Sequence, residues 1–189
     1  MKPKITIGHF PIIDHLILGI AQKTDGGHFE HLDLNTKLYV NWDKVAADFK
    51  NGKIDGAFLL FPLALELFQK GAKGRIVLLG QREGQAVVAS KSVRNITGLK
   101  GKRVLVPHRF SVHNILLTIV LKKAGLDPLR DVAYEAGFSD VRDIPDMLGS
   151  GKVDAIVSAE PWNTIAVKKG FGHIIGSLRE TDLLSGIWL

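Results

Sequence analysis

Asn51-Gly52-Lys53-Ile54-Asp55 decides the fold, because a close copy of it, Ser150-Gly151-Lys152-Val153-Asp154, follows at an offset of 99 residues. In each copy a glycine ends a predicted amphipathic helix, and an apolar residue then begins a predicted strand. Asp55 and Asp154 directly follow that apolar residue, at the beginning of the strand and far from the edge where ligands bind. Both are therefore predicted to be structural. The repeat predicts two related α/β halves.

The same offset aligns other positions without a gap. Pro62 aligns with Pro161, and residues 5–9, which begin with the predicted strand at residues 5–7, align with residues 104–108. One continuous doubly wound sheet is the alternative, since its βαβα units resemble one another through shared physics. The shared Gly-Lys-apolar-Asp run and the later proline favour duplication of a whole lobe.

Apolar periodicity divides each half into strand, helix, strand and helix. In the first half, residues 42–50 form a predicted helix and residues 54–60 a predicted buried strand. We therefore expect an α/β fold with two similar Rossmann-like lobes, mostly parallel sheets and a ligand cleft between the lobes. The predicted boundaries are residues 1–83 for lobe 1, 84–176 for lobe 2, and 177–189 for the start of a segment returning to lobe 1.

Composition narrows the class of protein. Of the 189 residues, 46% are hydrophobic and 23% are charged, which suits two small folded lobes and argues against disorder. The formal net charge is +6, but the basic residues are scattered, so no nucleic-acid partner is predicted. The absence of cysteine excludes disulfides and thiolate catalysis. We find no secretory signal before the first predicted strand and no apolar run long enough to cross a bilayer.

The predicted binding loops follow the carboxyl ends of the strands, where helix N-termini present backbone N–H groups. These loops hold an unusual share of reactive and polar side chains. The candidate ligand-binding residues in them are His9, Asp14, His15, Pro62, His108, Arg109, Ser111, His113, Glu160, Trp162 and Asn163.

Some of these residues also have a structural interpretation. Ser111 precedes an apolar helical run and suits a helix N-cap, and Pro62 suits the first turn of a helix. For His113 a structural role and a ligand-binding role are equally supported, whereas a structural role is favoured for His108. The loop that contains both histidines combines imidazoles, a guanidinium and a helix start, a set of groups suited to an oxyanion.

This loop also carries a resemblance to a known family. Residues 107–117 read Pro-His-Arg-Phe-Ser-Val-His-Asn-Ile-Leu-Leu, and residues 160–163 read Glu-Pro-Trp-Asn. Further matching motifs lie at residues 10–15, 55–64 and 84–88. In this order, the motifs resemble the substrate-binding proteins of nitrate, bicarbonate, sulfonate and taurine ABC importers, and most closely the nitrate/bicarbonate branch.

The resemblance implies a periplasmic binding protein type II-like fold and a ligand set. In the nitrate/bicarbonate branch, a tryptophan, a glutamine and a histidine hold the anion, in motifs that match here at Trp42, Gln85 and His113. Each of these side chains offers an N–H group, and a planar oxyanion needs several converging donors. Protonation of His113 for a monoanion would make the affinity fall as pH rises through the pKa of its ring.

The function implied by the resemblance is capture of a small oxyanion for an ABC importer. Its partners would be a small-molecule anion and the importer's permease and ATPase, and its location periplasmic or otherwise extracytoplasmic. We expect no catalytic residue, no cofactor and no metal ligand. Members of the family continue well past Leu189, so we expect an exposed edge or apolar face on lobe 1, which another chain such as a second copy would cover. The Gly26-Gly27-His28-Phe29 stretch replaces the usual linker after the first helix.

Two alternatives stay open at this point. The first is an enzyme on the same lobes, such as a thiamine-pyrimidine or menaquinone-pathway enzyme, with Glu160 beside histidines as acid and base. Against it, no nucleophile elbow, Walker loop or dinucleotide fingerprint is present, and no His-Glu-x-x-His spacing indicates zinc. The second is a ligand-sensing or partner protein, in which binding shifts lobe closure.

Overall fold

The computed structural model describes residues 2–79 and 85–178. The chain divides into two compact units, unit 1 at Met1–Gly80 and unit 2 at Gln81–Leu189. Both units alternate strands with helices, which gives the predicted α/β class. Of the predicted return segment at residues 177–189, only Ser177 and Leu178 lie within the described residues.

Unit 1 contains a three-stranded parallel sheet in the order β2-β1-β3. Its strands are β1 (Lys4–His9), β2 (Asp33–Leu38) and β3 (Gly56–Ala57). Its helices are α1 (Leu16–Asp25), α2 (Trp42–Lys50) and α3 (Phe61–Gln69), and a short 3-10 helix (Ile13–His15) precedes α1. Asn41 caps α2 by accepting a hydrogen bond from the Lys44 amide at 3.1 Å. Pro62 lies in the first turn of α3, as predicted.

Unit 2 contains a five-stranded mixed sheet in the order β6-β5-β7-β4-β8. Its strands are β4 (Ala86–Ala89), β5 (Lys102–Val106), β6 (Val132–Ala136), β7 (Ala155–Ser158) and β8 (His173–Ser177). Its α-helices are α4 (Val112–Lys123), α5 (Ile144–Gly149) and α6 (Trp162–Lys168). Strand β5 is parallel to β6 and β7, whereas β4 is antiparallel to β7 and β8.

The core of unit 2 lies between α4 and the central strands. Leu116, Leu117 and Leu121 form the inner face of α4 and are at most 1% exposed. They belong to one apolar cluster with Val104 and Val106 of β5. Burial of this apolar face fixes the rotation of α4 and therefore decides which of its other residues face the carboxyl edge of the sheet.

The sequence repeat corresponds to one hydrogen-bonded element that is built twice. In unit 1 the Asp55 carboxylate accepts the Thr6 amide at 2.8 Å, and the Asp55 amide donates to the Thr6 carbonyl at 2.9 Å. In unit 2 the Asp154 carboxylate accepts the Arg103 amide at 2.9 Å, and the Asp154 amide donates to the Arg103 carbonyl at 2.9 Å. The prediction that both aspartates are structural is confirmed.

The ungapped alignment of the first strands is wrong by two residues. Thr6 and Asp55 are 49 positions apart, whereas the equivalent Arg103 and Asp154 are 51 positions apart. The strand registers agree, since Ile7 pairs with Gly56 as Val104 pairs with Ala155. The offset is therefore 99 at the aspartates and 97 in the first strands, because the segment between the two positions is two residues longer in unit 2.

Other details of the predicted elements also need correction. The predicted buried strand at residues 54–60 is only two residues long, Gly56–Ala57, and neither residue is fully buried. The order strand, helix, strand, helix omits four strands, which are β2, β4, β6 and β8. Strand β2, with the sequence Asp-Leu-Asn-Thr-Lys-Leu, is an edge strand, and an edge strand needs few apolar residues.

Unit 1 has an exposed apolar stripe on α1 and the turn before it. Ile13, Leu16, Ile17 and Ile20 are 48–62% exposed and recur at the spacing of one helix face. A stripe of this kind is unusual on the surface of a soluble domain.

Candidate functional site

The strand registers of unit 2 bring the predicted binding loops to one edge of its sheet. Strands β5 and β7 are parallel neighbours, so the loops after Val106 and Ser158 leave the same edge. Strand β4 is antiparallel to β7, with Ala86 opposite Ser158, so Gln85 lies at this edge as well. The register therefore assembles Gln85, residues 107–114 and residues 159–163 at one edge.

The loop between β5 and α4 is held by its own polar side chains. Ser111 caps α4 by accepting the Asn114 amide at 3.1 Å, which confirms its predicted structural role. Nδ1 of His108 accepts the Phe110 amide at 3.0 Å, and Nδ2 of Asn114 donates to the Arg109 carbonyl at 3.0 Å. The contact of His108 supports the structural role favoured for it, and these three contacts give the loop a defined shape.

His113 is the most unusual side chain of this loop. It is 5% exposed, and neither of its ring nitrogens has a hydrogen-bond partner among the described residues. Burial lowers the pKa of His113 from 6.5 to about 4, so the ring is neutral at neutral pH. A neutral imidazole carries one N–H donor and one acceptor nitrogen, and both are available to a ligand here.

The loop after β7 combines two structural contacts with one unpaired donor. Oε2 of Glu160 accepts the Thr164 amide at 3.1 Å, and Nδ2 of Asn163 donates to the Ser158 carbonyl at 2.6 Å. These contacts tie the first turn of α6 to the end of β7. The Trp162 indole Nε1 is buried and has no partner within the described part of the chain. Trp162 is therefore the residue of this loop with a donor left for a ligand.

Gln85 adds a further unpaired polar atom. Its backbone carbonyl accepts the Leu178 amide at 2.9 Å, which fixes the start of β4 against the end of β8. Its side-chain Oε1 is buried without a partner in the described residues. Rotation of the amide exchanges oxygen and nitrogen, so this position can present an N–H to an acceptor.

The carboxyl edge of the unit 1 sheet carries an aromatic cluster made of Phe10, His15, Trp42 and Phe58. The rings of Phe10 and Trp42 stack with centroids 3.8 Å apart, and the rings of His15 and Phe58 are 4.5 Å apart. Phe10, Trp42 and Phe58 each follow the end of a parallel strand, which explains why they meet. The Trp42 indole Nε1 is buried and has no partner among the described residues.

The tautomer of His15 follows from its hydrogen bond. The Phe10 amide donates to Nδ1 of His15 at 2.8 Å, so the ring proton of neutral His15 lies on Nε2. Burial, followed by repulsion from His9, lowers the pKa of His15 from 6.5 to about 3. His15 is therefore a neutral donor in the aromatic cluster. His9 and Asp14 flank it, and Nδ1 of His9 lies 3.4 Å from the Phe10 carbonyl oxygen.

Phe10 and Phe58 complete the aromatic cluster and were not singled out individually from the sequence. The signals that could have found them are their positions after strands and their place in the matching motifs at residues 10–15 and 55–64. Within residues 2–79 and 85–178 no three His, Asp or Glu side chains lie close enough to hold a metal ion. Each edge instead presents buried N–H groups on neutral side chains.

The comparisons with known proteins agree with this architecture. Residues 1–183 match the model of the NMT1-like family. The chain belongs to the NMT1-like family. This NMT1-like chain is 26% identical, over 98% of its length, to the nitrate import ATP-binding protein NrtC of Synechocystis sp., and it spans 30% of that protein.

Solved structures confirm the fold. The NMT1-like chain resembles the ligand-binding component of an ABC-type import system from Staphylococcus aureus with zinc bound, at a TM-score of 0.85, 25% identity, and coverage of 96% of this chain and 62% of that one. It also resembles the periplasmic nitrate-binding protein NrtA from Synechocystis, at a TM-score of 0.81 and 15% identity. The match covers 93% of this chain and 51% of that one.

A third structure is the alkanesulfonate-binding protein SsuA from Xanthomonas axonopodis bound to MOPS, at a TM-score of 0.80 and 20% identity. The match covers 97% of this chain and 64% of that one. Together the three structures establish the periplasmic binding protein type II-like fold for this NMT1-like chain. None of its helices in the described ranges combines the length and apolar character needed to cross a bilayer.

Proposed function

We propose that this chain is the solute-binding component of an ABC importer and that it captures a small oxyanion. The observation that carries the proposal is a set of buried N–H-bearing side chains without partners, Trp42 in unit 1 and His113 and Trp162 in unit 2. An unpaired buried polar group costs about 1–3 kcal/mol, so an unliganded fold with several of them is expected to have an acceptor to bind. Two neighbours in fold are a nitrate-binding and an alkanesulfonate-binding protein.

The donors suit an oxyanion because they are neutral and hydrogen-bonding. His113 is neutral through burial, and the two indoles carry only N–H donors. Oxygen atoms of nitrate, bicarbonate or a sulfonate can accept one hydrogen bond from each donor. We expect Trp42, Gln85 and His113 to contact the anion, as the resemblance implies, and add Trp162 to this set. The other candidate residues position these donors or line the site. They are His9, Asp14, His15, Pro62, His108, Arg109, Ser111, Glu160 and Asn163.

A catalytic role has no support in the contacts of Glu160. Its carboxylate accepts the Thr164 amide and so stabilises the start of α6 instead of facing an exchangeable substrate proton. We therefore expect binding without turnover. The importer would supply a permease and an ATPase as partners, with the chain on the extracytoplasmic side. A second copy that covers the α1 stripe of Ile13, Leu16, Ile17 and Ile20 stays a prediction, supported by the exposure of that stripe.

A thermal-shift screen tests the proposal. Purified protein is heated with nitrate, nitrite, bicarbonate, methanesulfonate or taurine, with and without zinc. At a hundredfold excess over its dissociation constant, a true ligand stabilises the fold by about 2.7 kcal/mol and raises Tm accordingly. Absence of a Tm shift with every anion at millimolar concentration would overturn the proposal.

Three variants locate the site. His113→Phe keeps a ring but removes both nitrogens, Trp162→Phe removes the indole N–H, and Gln85→Ala removes the amide. Each is expected to lose most of the Tm shift, while its ligand-free Tm shows that it still folds. His31→Ala is the matched control, because His31 is exposed and its ring lies 3.9 Å from Glu30 at the surface. An unchanged shift in all three variants would place the ligand elsewhere.

A further inference from the structure

Unit 2 contains a cavity that shares only Arg109 with the residues of the proposed oxyanion site. It lies between α4 and β6 and has a volume of about 460 Å³, within the range of small-molecule pockets. One wall is the face of α4 formed by Asn114, Thr118 and Lys122, which recur every fourth residue. The opposite wall is formed by Tyr134 and Ala136 of β6. We call this cavity the α4–β6 groove.

The groove is distinct from the surroundings of His113. On α4, His113 lies on the inner face with Leu116 and Leu117, which are buried in the core. Asn114, Thr118 and Lys122 lie about a quarter of a turn away, on the face that lines the groove. Apart from Arg109, a ligand in the groove would therefore meet a different set of side chains.

The groove presents two cations without carboxylate partners. Neither Arg109 nor Lys122 makes an ion pair with a carboxylate among the described residues. The Arg109 guanidinium lies over the Phe110 ring, 4.6 Å from its centroid, which holds it at one end of the groove. The one carboxylate of the lining, Asp127, already accepts the Leu129 amide at 2.9 Å through Oδ1. The groove thus offers net positive charge to a ligand.

The remaining lining is part polar and part apolar. Oδ1 of Asn114 is buried without a partner in the described part of the chain, while its Nδ2 is held by the Arg109 carbonyl. Burial raises the pKa of Tyr134, so its hydroxyl keeps its proton and can donate to an anion. Pro128 and Leu129 add an apolar side, and Leu129 is 91% exposed. Such a lining suits a ligand with a charged end and an apolar body.

The geometry points to a second binding site in the α4–β6 groove, which takes a small amphipathic monoanion. The ligand class is a carboxylate or sulfonate on a short apolar chain. Arg109 and Lys122 attract the anionic group, and Leu129 with Pro128 covers the chain.

The probes are hexanesulfonate and hexanoate, titrated into the full chain and followed by amide chemical shifts. Hexanol lacks the charge and methanesulfonate lacks the chain, so the two serve as ligand controls. We expect shifts of the Thr118 and Tyr134 amides that give a dissociation constant on the order of 1 mM for the six-carbon anions. By the same two amides, which report the groove and not the oxyanion site, both controls should bind at least tenfold more weakly. Comparison of the hexanesulfonate and hexanoate titrations shows whether the groove prefers a sulfonate or a carboxylate.

Variants decide whether the groove is the site. Thr118→Trp fills the groove and is expected to abolish the response, and the Arg109→Gln/Lys122→Gln double variant, which leaves the groove open, is expected to weaken binding at least tenfold. Lys123→Gln, a neighbouring lysine that does not line the groove, is the charge control and should bind normally. His113→Phe should retain the shifts at Thr118 and Tyr134. The proposal would be overturned if neither probe bound, or if both groove variants bound the probes as tightly as the unsubstituted chain. Loss of the Thr118 and Tyr134 shifts in His113→Phe would overturn it as well.

Discussion

The Phe10 amide donates a hydrogen bond to Nδ1 of His15 at 2.8 Å, and this contact closes the loop that carries the aromatic cluster of unit 1. Phe10 is 1% exposed and His15 is 8% exposed, so water does not compete for the contact. The bond fixes the ring proton of His15 on Nε2 and holds the rings of Phe10 and Trp42 in their stacked arrangement.

Loss of this hydrogen bond is expected to destabilise unit 1. His15→Ala leaves the buried Phe10 amide without an acceptor, which costs about 1–3 kcal/mol before any cavity is counted. His15→Asn supplies an amide oxygen near the position of Nδ1 and should recover part of that loss. Urea denaturation of both variants measures the difference, with the exposed His31→Ala as the control. Equal stability of His15→Ala and the unsubstituted chain would contradict this role.

The two buried histidines make the fold sensitive to mild acid. Burial lowers the pKa of His113 to about 4 and that of His15 to about 3, both from 6.5 in the unfolded chain. Because the unfolded state takes up these protons first, stability is complete above pH 6.5 and falls as pH drops below it. The free energy of unfolding should decrease by about 2 kcal/mol per histidine between pH 6.5 and 5.

Denaturation at several pH values measures this slope. His113→Phe and His15→Asn should each remove the part of this pH-dependent decrease in the free energy of unfolding that one histidine causes. His31→Ala should leave the slope unchanged. A slope that none of the buried-histidine variants alters would mean that other groups take up the protons.

For a ligand of the proposed oxyanion site whose own charge is fixed, such as nitrate or a sulfonate, the affinity is expected to be constant between pH 6 and 8. Protonation of His113 at neutral pH would require the anion to raise a pKa of about 4 by roughly three units, or about 4 kcal/mol. A neutral imidazole donor needs no such shift. Isothermal titration calorimetry in buffers of different ionisation enthalpy measures both the affinity and the proton uptake. A tenfold fall in affinity per pH unit, with one proton taken up, would instead support a protonated His113.

The paired aspartates should stabilise their units separately. Asp55→Ala and Asp154→Ala each remove the acceptor for a backbone amide of an interior strand, Thr6 of β1 in one unit and Arg103 of β5 in the other. Amide hydrogen exchange is expected to become roughly tenfold faster in the strands of the substituted unit, as for the loss of one hydrogen bond. Asp143→Ala, at an exposed position, is the control. Uniform acceleration across the described residues of both units would argue against two independent copies of the element.

The parts of the fold with local causes were predictable from the sequence. The helix at residues 42–50 was predicted to its ends from its apolar spacing and from Gly52, which follows its end with φ of 66°, and the structure adds the Asn41 cap at its start. Ser111 as a cap and Pro62 in a first turn were predictable for the same reason. These features depend on a few neighbouring residues and need no knowledge of tertiary packing.

The features that depend on packing were not predictable. The two-residue shift between the first strands became visible only from the strand registers, because the aspartate motif itself has no gap. Strand β4 was missed because four residues give too short a pattern, although all four are buried. Whether the side-chain nitrogens of Trp42, His113 and Trp162 lack a hydrogen-bond partner depends on what surrounds each side chain. A sequence shows only that the residue is present.

The indole resonances in a nitrogen–proton NMR spectrum test the central claim most directly, because the chain has three tryptophans and each gives one Nε1–H signal. Single Trp→Phe variants assign the three signals, and nitrate, bicarbonate, methanesulfonate and taurine are then titrated in turn. We predict that one of these anions moves the Trp42 signal and the Trp162 signal downfield, each with saturation, as each N–H group acquires an acceptor. Indole signals of Trp42 and Trp162 that stay in place with every anion would contradict the account.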